Sequence, residues 1–307
     1  MSGTADHKMA TNCQPPKEIL AKGRAVSLSL GLLELPPFPA IAVKALQMAS
    51  DSQMRLRELH EIISTDQAFS AELLKIANSP LYGMRTAIKN TLQASILLGY
   101  TRLKRLVLTV GIRGYLVKTM DTPSLRLCWR HSLACAIVAE DLVTASFEAK
   151  CDVPIPVDKD FAFTAGIIHD VGRMALAVVK PKQYAELLRN TENDHCNLAG
   201  EQDLFGANHC EIGRFLVVTW NLPEDFIAVT SQHHDILLGR PMNALGVIQF
   251  SCMMANVLGF HVSPSTGMRP YEALLADLPE GERQYFGRTR EEYAAQIACR
   301  IDAIESA

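Results

Sequence analysis

The sequence predicts an all-α protein. Apolar residues recur at helical spacing through almost every segment from Val26 onward, and the alternating apolar and polar runs of half-buried strands are rare. Helix starts and stops also fall at regular intervals, with Pro39, Asp66, Thr91 and Thr101 at entries and Ser79-Pro80 and Gly99 at exits. With 307 residues, 48% of them hydrophobic, the chain can bury a substantial core.

Residues 1–24 are polar, contain Pro15-Pro16, show no periodicity and read as a leader. In LPPFPAIAVKALQMASD the prolines set an extended approach, Pro39 occupies a first helical turn, and the helix runs to about Ala49. A second helix spans 55–63. Asp66 caps a third, QAFSAELLKIAN, with Phe69, Leu73, Leu74 and Ile76 on its apolar face. Thr91 opens a helix over 91–98 and Thr101 another over 101–118, separated by Gly99. A second block follows Pro123, with helices near 125–147, 160–178, 182–191, 196–205, 209–219, 223–233 and 244–259 and a weaker terminal one at 289–303. The loop CDVPIPVDKD separates the first two of these. The expected organisation is a leader (1–24), an N-terminal helical lobe (25–120), a second helical lobe (121–260) and a C-terminal extension (261–307).

Net charge is −3, which excludes the broad positive field of a non-specific nucleic-acid binder. The one basic cluster, Arg102, Lys104, Arg105, Arg113 and Lys118, reads as a solvated helix face opposite Leu103, Leu106, Val107 and Val110. Charge or histidine interrupts the apolar runs, so no membrane span is expected, and no apolar signal core follows the N-terminal lysines. Eight scattered cysteines without paired short spacing read as reduced thiols in a cytoplasmic protein. Cys128 and Cys135 read as small core residues, and no cysteine enters the functional expectation.

The chemistry concentrates at His169-Asp170, an imidazole and a carboxylate inside the apolar run FTAGIIHDVGRMALAVV. Burying that carboxylate is costly unless a cation neutralises it. Neighbouring helical residues diverge by about 100°, so at least one of the two faces inward. Further histidines stand in similar settings: His131 in CWRHSLACAIVAEDLV, His209 in FGANHCEIG, and His233-His234 in VTSQHHD. Imidazole and carboxylate donors from several helices suit iron, manganese or zinc, and such ions can activate water or clamp a phosphate.

In this order, His131, His169-Asp170, His209 and His233-His234 resemble the metal-binding series of the HD superfamily of phosphohydrolases, including its HD-GYP branch. Three departures stand out. Asn256 in SCMMANVLG stands where the superfamily usually has aspartate, HHDILLGRP lacks the Gly-Tyr-Pro loop, and Arg173 replaces the lysine often found after His-Asp. The front half, including IANSPLYG and LLGYTRLKRL, together with AGIIHDVGRMAL and FGANHCEIGRFLVVTWNLPEDFIAVTSQHHD, resembles the HDOD family from about Leu33 to His234.

That resemblance implies an HD-like bundle in two helical lobes and a bacterial cytoplasmic signalling role. Metal, as one or two ions, would be held by His131, His169, Asp170, His209, His233 and His234, with Asn256 a weaker donor. No receiver or kinase module fits within the chain, so the expected partner is a signalling protein, a second copy or a nucleotide ligand, with neither membrane nor nucleic acid. Two readings stand open: regulation without turnover, and metal-dependent hydrolysis of a nucleotide or cyclic dinucleotide with Asp170 and Arg173 at the reacting phosphate.

Overall fold

The computed structural model describes residues 40–47, 52–78, 86–116, 122–149, 154–191, 194–235, 242–263 and 268–305. These form helices and connecting turns, with no strand among the described residues. The expected leader, the LPPF approach, Ser79-Pro80 and Lys118 lie outside them.

Four helices make the first lobe: α1 (Ala40–Gln47), α2 (Ser52–Ser64), α3 (Gln67–Ala77) and α4 (Thr91–Leu116). Asp66 caps α3 as expected, its carboxylate accepting from Phe69 N at 2.9 Å. Gly99 breaks α4 with φ 71°, a value open to glycine at little cost. At the start of α4 the cap is Asn90, whose side-chain oxygen accepts from Gln93 N at 2.7 Å. Thr91 instead places its hydroxyl 3.2 Å from that of Ser64 on α2. Leu59, Ile63, Leu73, Ile76, Leu103, Leu106 and Val107 fill a first core between these helices.

The second core surrounds α5 (Pro123–Glu148), a 26-residue helix buried along much of its length. Packed around or beyond it are α6 (Lys159–Ile168), α7 (Val171–Val179), α8 (Pro181–Asn190), α9 (Asp194–Phe205), α10 (His209–Thr219), α11 (Asp225–Gln232) and α12 (Ala244–Val257). The tail forms α13 (Tyr271–Ala276), α14 (Glu280–Tyr285) and α15 (Arg290–Glu305). Tyr293, Ile297, Ile301 and Ile304, at helical spacing on α15, belong to this same second core.

Two further expectations need correction. The helix over 160–178 is two helices, α6 and α7, broken at His169 and Asp170. A continuous helix would splay neighbouring side chains apart, whereas the break lets both turn inward, each no more than 2% exposed. This stretch, 159–179, is also long and apolar enough to cross a membrane by composition, yet it is largely buried inside the fold.

Arg105 departs from the solvated face assigned to it. Its guanidinium pairs with Glu140 of α5 at 2.5 Å and lies 3.7 Å over the Phe163 ring of α6, which ties α4 to the second core. Arg102 is exposed as expected. Glu140 also receives Arg300 of α15 at 2.8 Å. Arg300 bonds Asp141 at 2.8 and 3.0 Å, and Asp141 accepts from the Tyr293 hydroxyl at 2.9 Å.

Candidate metal centre

Two close helix approaches create the site. A Cβ on Gly166 would lie 2.4 Å from Ala136 Cα, and one on Gly172 would lie 2.0 Å from the His209 carbonyl oxygen. Only glycine permits these contacts. The first brings α6 against α5, and so His169 beside His131; the second brings α7 against the start of α10, and so Asp170 beside His209.

His131, His169, His209 and His233 are all buried and oriented by one device. Their Nδ1 atoms meet Phe260 O at 2.7 Å, Gly166 O at 2.7 Å, Glu201 Oε2 at 2.6 Å and Val229 O at 3.0 Å. Carbonyl and carboxylate oxygens only accept, so each Nδ1 carries the proton and Nε2 faces the centre. Such outer bonds fix the tautomer of metal-ligating histidines. The Nε2 atoms of His169, His209 and His233 are buried without a hydrogen-bond partner, the condition a metal ion relieves.

Asp170 stands between them. Its Oδ1 lies 3.2 Å from His233 Nε2 and 3.5 Å from His209 Nε2, while Oδ2 lies 3.7 Å from His169 Nε2 and 3.9 Å from His131 Nε2. Arg173 Nε approaches the same carboxylate at 3.1 Å. Burial alone would raise the Asp170 pKa, but Arg173 and the imidazoles hold it well below the usual range, so the group is an anion.

His234 differs from the other four histidines. It is half-buried, and its Nε2 lies 3.3 Å from Arg173 Nη2 and accepts from it. Burial and the neighbouring His233 and His209 keep it neutral, its pKa well below the ordinary value. Burial likewise lowers His233. For His169 and His209, burial acts in the same direction but is overcome. Cys252 and Asp170 push His169 up to about 9, while Glu201, against the further opposition of Arg173, raises His209 to about 10.

The structure thus brings His131, His169, Asp170, Arg173, His209, His233 and His234 together. Asn256 is half-buried on α12, one turn beyond Cys252. Sequence reasoning passed over three participants. Glu201 is fully buried and bonds His209 through both Nδ1 and backbone N, while accepting from Tyr184. Cys135 and Cys252, also buried, stand with Sγ atoms 3.7 Å apart, and Cys135 Sγ is 3.4 Å from His131 Nε2. The His131-Cys135 spacing of four, which stacks both on one helix face, was a readable signal; Glu201 had none, since its polar setting GEQD resembles a solvated turn of helix.

The ligand atoms fall into two groups, each with all its atoms within 4.8 Å of one another: Asp170, His209, His233 and His234, and His131, Cys135, His169 and Cys252. The cluster can therefore bind metal, through a nitrogen and carboxylate set in one group and a nitrogen and sulfur set in the other.

Comparison with known proteins agrees with this architecture. An HDOD domain protein with unknown function from Geobacter sulfurreducens superposes with a TM-score of 0.71 at 24% identity, covering 95% of this chain and 97% of its own. A protein provisionally described as a signal transduction protein, from Marinobacter aquaeolei, gives 0.64 at 19% identity over 94% of this chain and 65% of its own. One provisionally described as a metal-dependent phosphohydrolase, from Shewanella amazonensis, gives 0.60 at 19% over 93% and 99%. In sequence, an uncharacterised protein of Treponema pallidum is 24% identical over 213 residues, 69% of this chain, which spans 40% of that relative's length. The HDOD domain family matches residues 35–236, about two thirds of the chain, and the chain belongs to that family.

Proposed function

We propose that this protein is a regulatory module of bacterial cytoplasmic signal transduction. It acts by binding a signalling protein, a second copy of itself or a nucleotide, and its buried cluster holds one or two divalent ions, iron, manganese or zinc, without turnover. One observation carries the reading: five of the six candidate ligands are closed off. His131, His169, Asp170, His209 and His233 are each at most 5% exposed, and Arg173, the residue nearest a phosphate-binding role, is 1% exposed and directed at Asp170. Catalytic metal sites keep a coordination position open to substrate; structural ones are closed. Membership of the HDOD family and the signalling description of the Marinobacter relative are consistent with this.

Hydrolysis has one observation in its favour. His234 is only half-buried, at the edge of the Asp170 group and beside Arg173, which gives that group its least enclosed side. The experiment incubates purified protein with manganese or iron(II) and offers cyclic dinucleotides, nucleoside phosphates and a generic phosphodiester. The regulatory reading expects no hydrolysis above the metal-only control. Metal-dependent turnover that disappears in Asp170→Ala or His169→Ala, with the fold intact by circular dichroism, decides for the phosphohydrolase.

A further inference from the structure

We propose that Cys135 and Cys252, together with His131 and His169, form a closed zinc site beside the Asp170 group. The inference rests on the reading that the buried cluster holds metal, and it names which donors and which ion occupy one half. Part of the site lies outside the family match, which ends at residue 236, since α12 supplies Cys252 and the turn after it supplies the Phe260 carbonyl that orients His131.

Two donor separations match those a tetrahedral ion requires, and all four donor atoms lie within 4.8 Å of one another. Zinc bonds of about 2.3 Å to sulfur and about 2.0 Å to nitrogen place two sulfurs about 3.8 Å apart and sulfur about 3.5 Å from nitrogen. Here the two Sγ atoms are 3.7 Å apart, and Cys135 Sγ is 3.4 Å from His131 Nε2. His131 and His169 each spend Nδ1 on a carbonyl and turn Nε2 inward. Two thiolates also cancel the charge of a divalent ion, so the assembled unit is neutral and its burial carries little electrostatic penalty. Soft sulfur donors favour zinc over manganese, whereas the carboxylate and imidazoles of the Asp170 group favour neither as strongly.

The same thiols could instead pair with each other. A disulfide closes to about 2.05 Å and would leave the His131 and His169 donors without the metal that satisfies them. The test therefore has to read sulfur bound to metal. Full-length protein is stripped with chelator and reloaded with zinc or cobalt(II). Zinc X-ray absorption on the unaltered protein should show sulfur neighbours at about 2.3 Å, and cobalt should give tetrahedral d–d bands with a thiolate charge-transfer band. Cys135→Ser and Cys252→Ser should each weaken the charge-transfer band, and the double variant should abolish it and lose one equivalent of zinc. Cys299→Ser, at an exposed thiol outside the site, should keep the band.

A metal shell of nitrogen and oxygen only, a band undiminished in the folded double cysteine variant, or a Cys135–Cys252 disulfide in zinc-loaded protein would each overturn the proposal. The absorption measurement needs no variant, so a substitution that fails to fold leaves the question answerable. Turnover in the hydrolysis assay would sink the regulatory reading without touching this one.

Discussion

At the residue scale, the site turns on one carboxylate. Asp170 meets four histidines and Arg173 through its two oxygens, so removing it both deprives the ligand set of His209, His233 and His234 of its carboxylate and leaves a guanidinium buried beside vacated space. Asp170→Ala should lose metal from the Asp170 group, measured by elemental analysis after gel filtration. It should also destabilise the metal-free protein by about 3–5 kcal/mol in denaturant titration, the scale for breaking a buried pair from one side. Protons oppose metal here. In the metal-free protein His169, with its pKa near 9, and His209, near 10, are protonated at neutral pH and must release protons to coordinate. Affinity should therefore rise with pH between roughly 6 and 8, about tenfold per unit for each proton displaced. Calorimetry in buffers of differing ionisation enthalpy reads that release directly, and a flat profile would show that neither histidine coordinates. Most of the site residues could be read from the sequence because each histidine sits in a motif of its own. Glu201 could not, because its partner His209 lies across a turn, and the eight-residue separation leaves no helical register to follow.

At the element scale, main-chain contact decides whether the ligands meet. Gly172→Ala would press a methyl group into the His209 carbonyl, so α7 and α10 must separate. We expect a stability loss of about 1–3 kcal/mol, the usual cost of overpacking, and weaker metal binding although every ligand remains. Unchanged affinity would mean that the approach of α7 to α10 does not set the distance between Asp170 and His209. Helix positions were legible from periodicity nearly throughout, with α10 expected at 209–219 and found at His209–Thr219. The break between α6 and α7 was not, since apolar content continues through it and its cause is the tertiary demand that His169 and Asp170 both face inward. Arg105 escaped for a similar reason: a basic stripe opposite leucines looks solvated until Glu140 and Phe163 arrive from the second core.

At the scale of the molecule, the second core extends well past the family match, and the tail completes it. Ending the chain before α15 would remove Tyr293, Ile297, Ile301 and Ile304, uncover the part of the second core they pack against, and strand Asp141 without Arg300 or the Tyr293 hydroxyl. Such a truncation should aggregate or lose its cooperative unfolding transition. The milder Arg300→Met should fold and cost about 1.5–3 kcal/mol, the range for hydrogen bonds to charged groups, as measured by chemical denaturation. Fold class was the most legible property of all, because helical periodicity pervades the chain, whereas the packing of the tail depends on a single apolar stripe that composition barely distinguishes from an exposed helix.

The two glycine contacts also bear on how this site could be altered. Because Gly166 and Gly172 set the socket with main chain alone, its dimensions do not depend on which side chains line it. An engineer could exchange one donor type for another, imidazole for carboxylate or thiol for imidazole, and retune the preferred metal while the frame stays put. The reverse does not hold: no choice of ligands would relieve the main-chain clash once either glycine had gained a side chain.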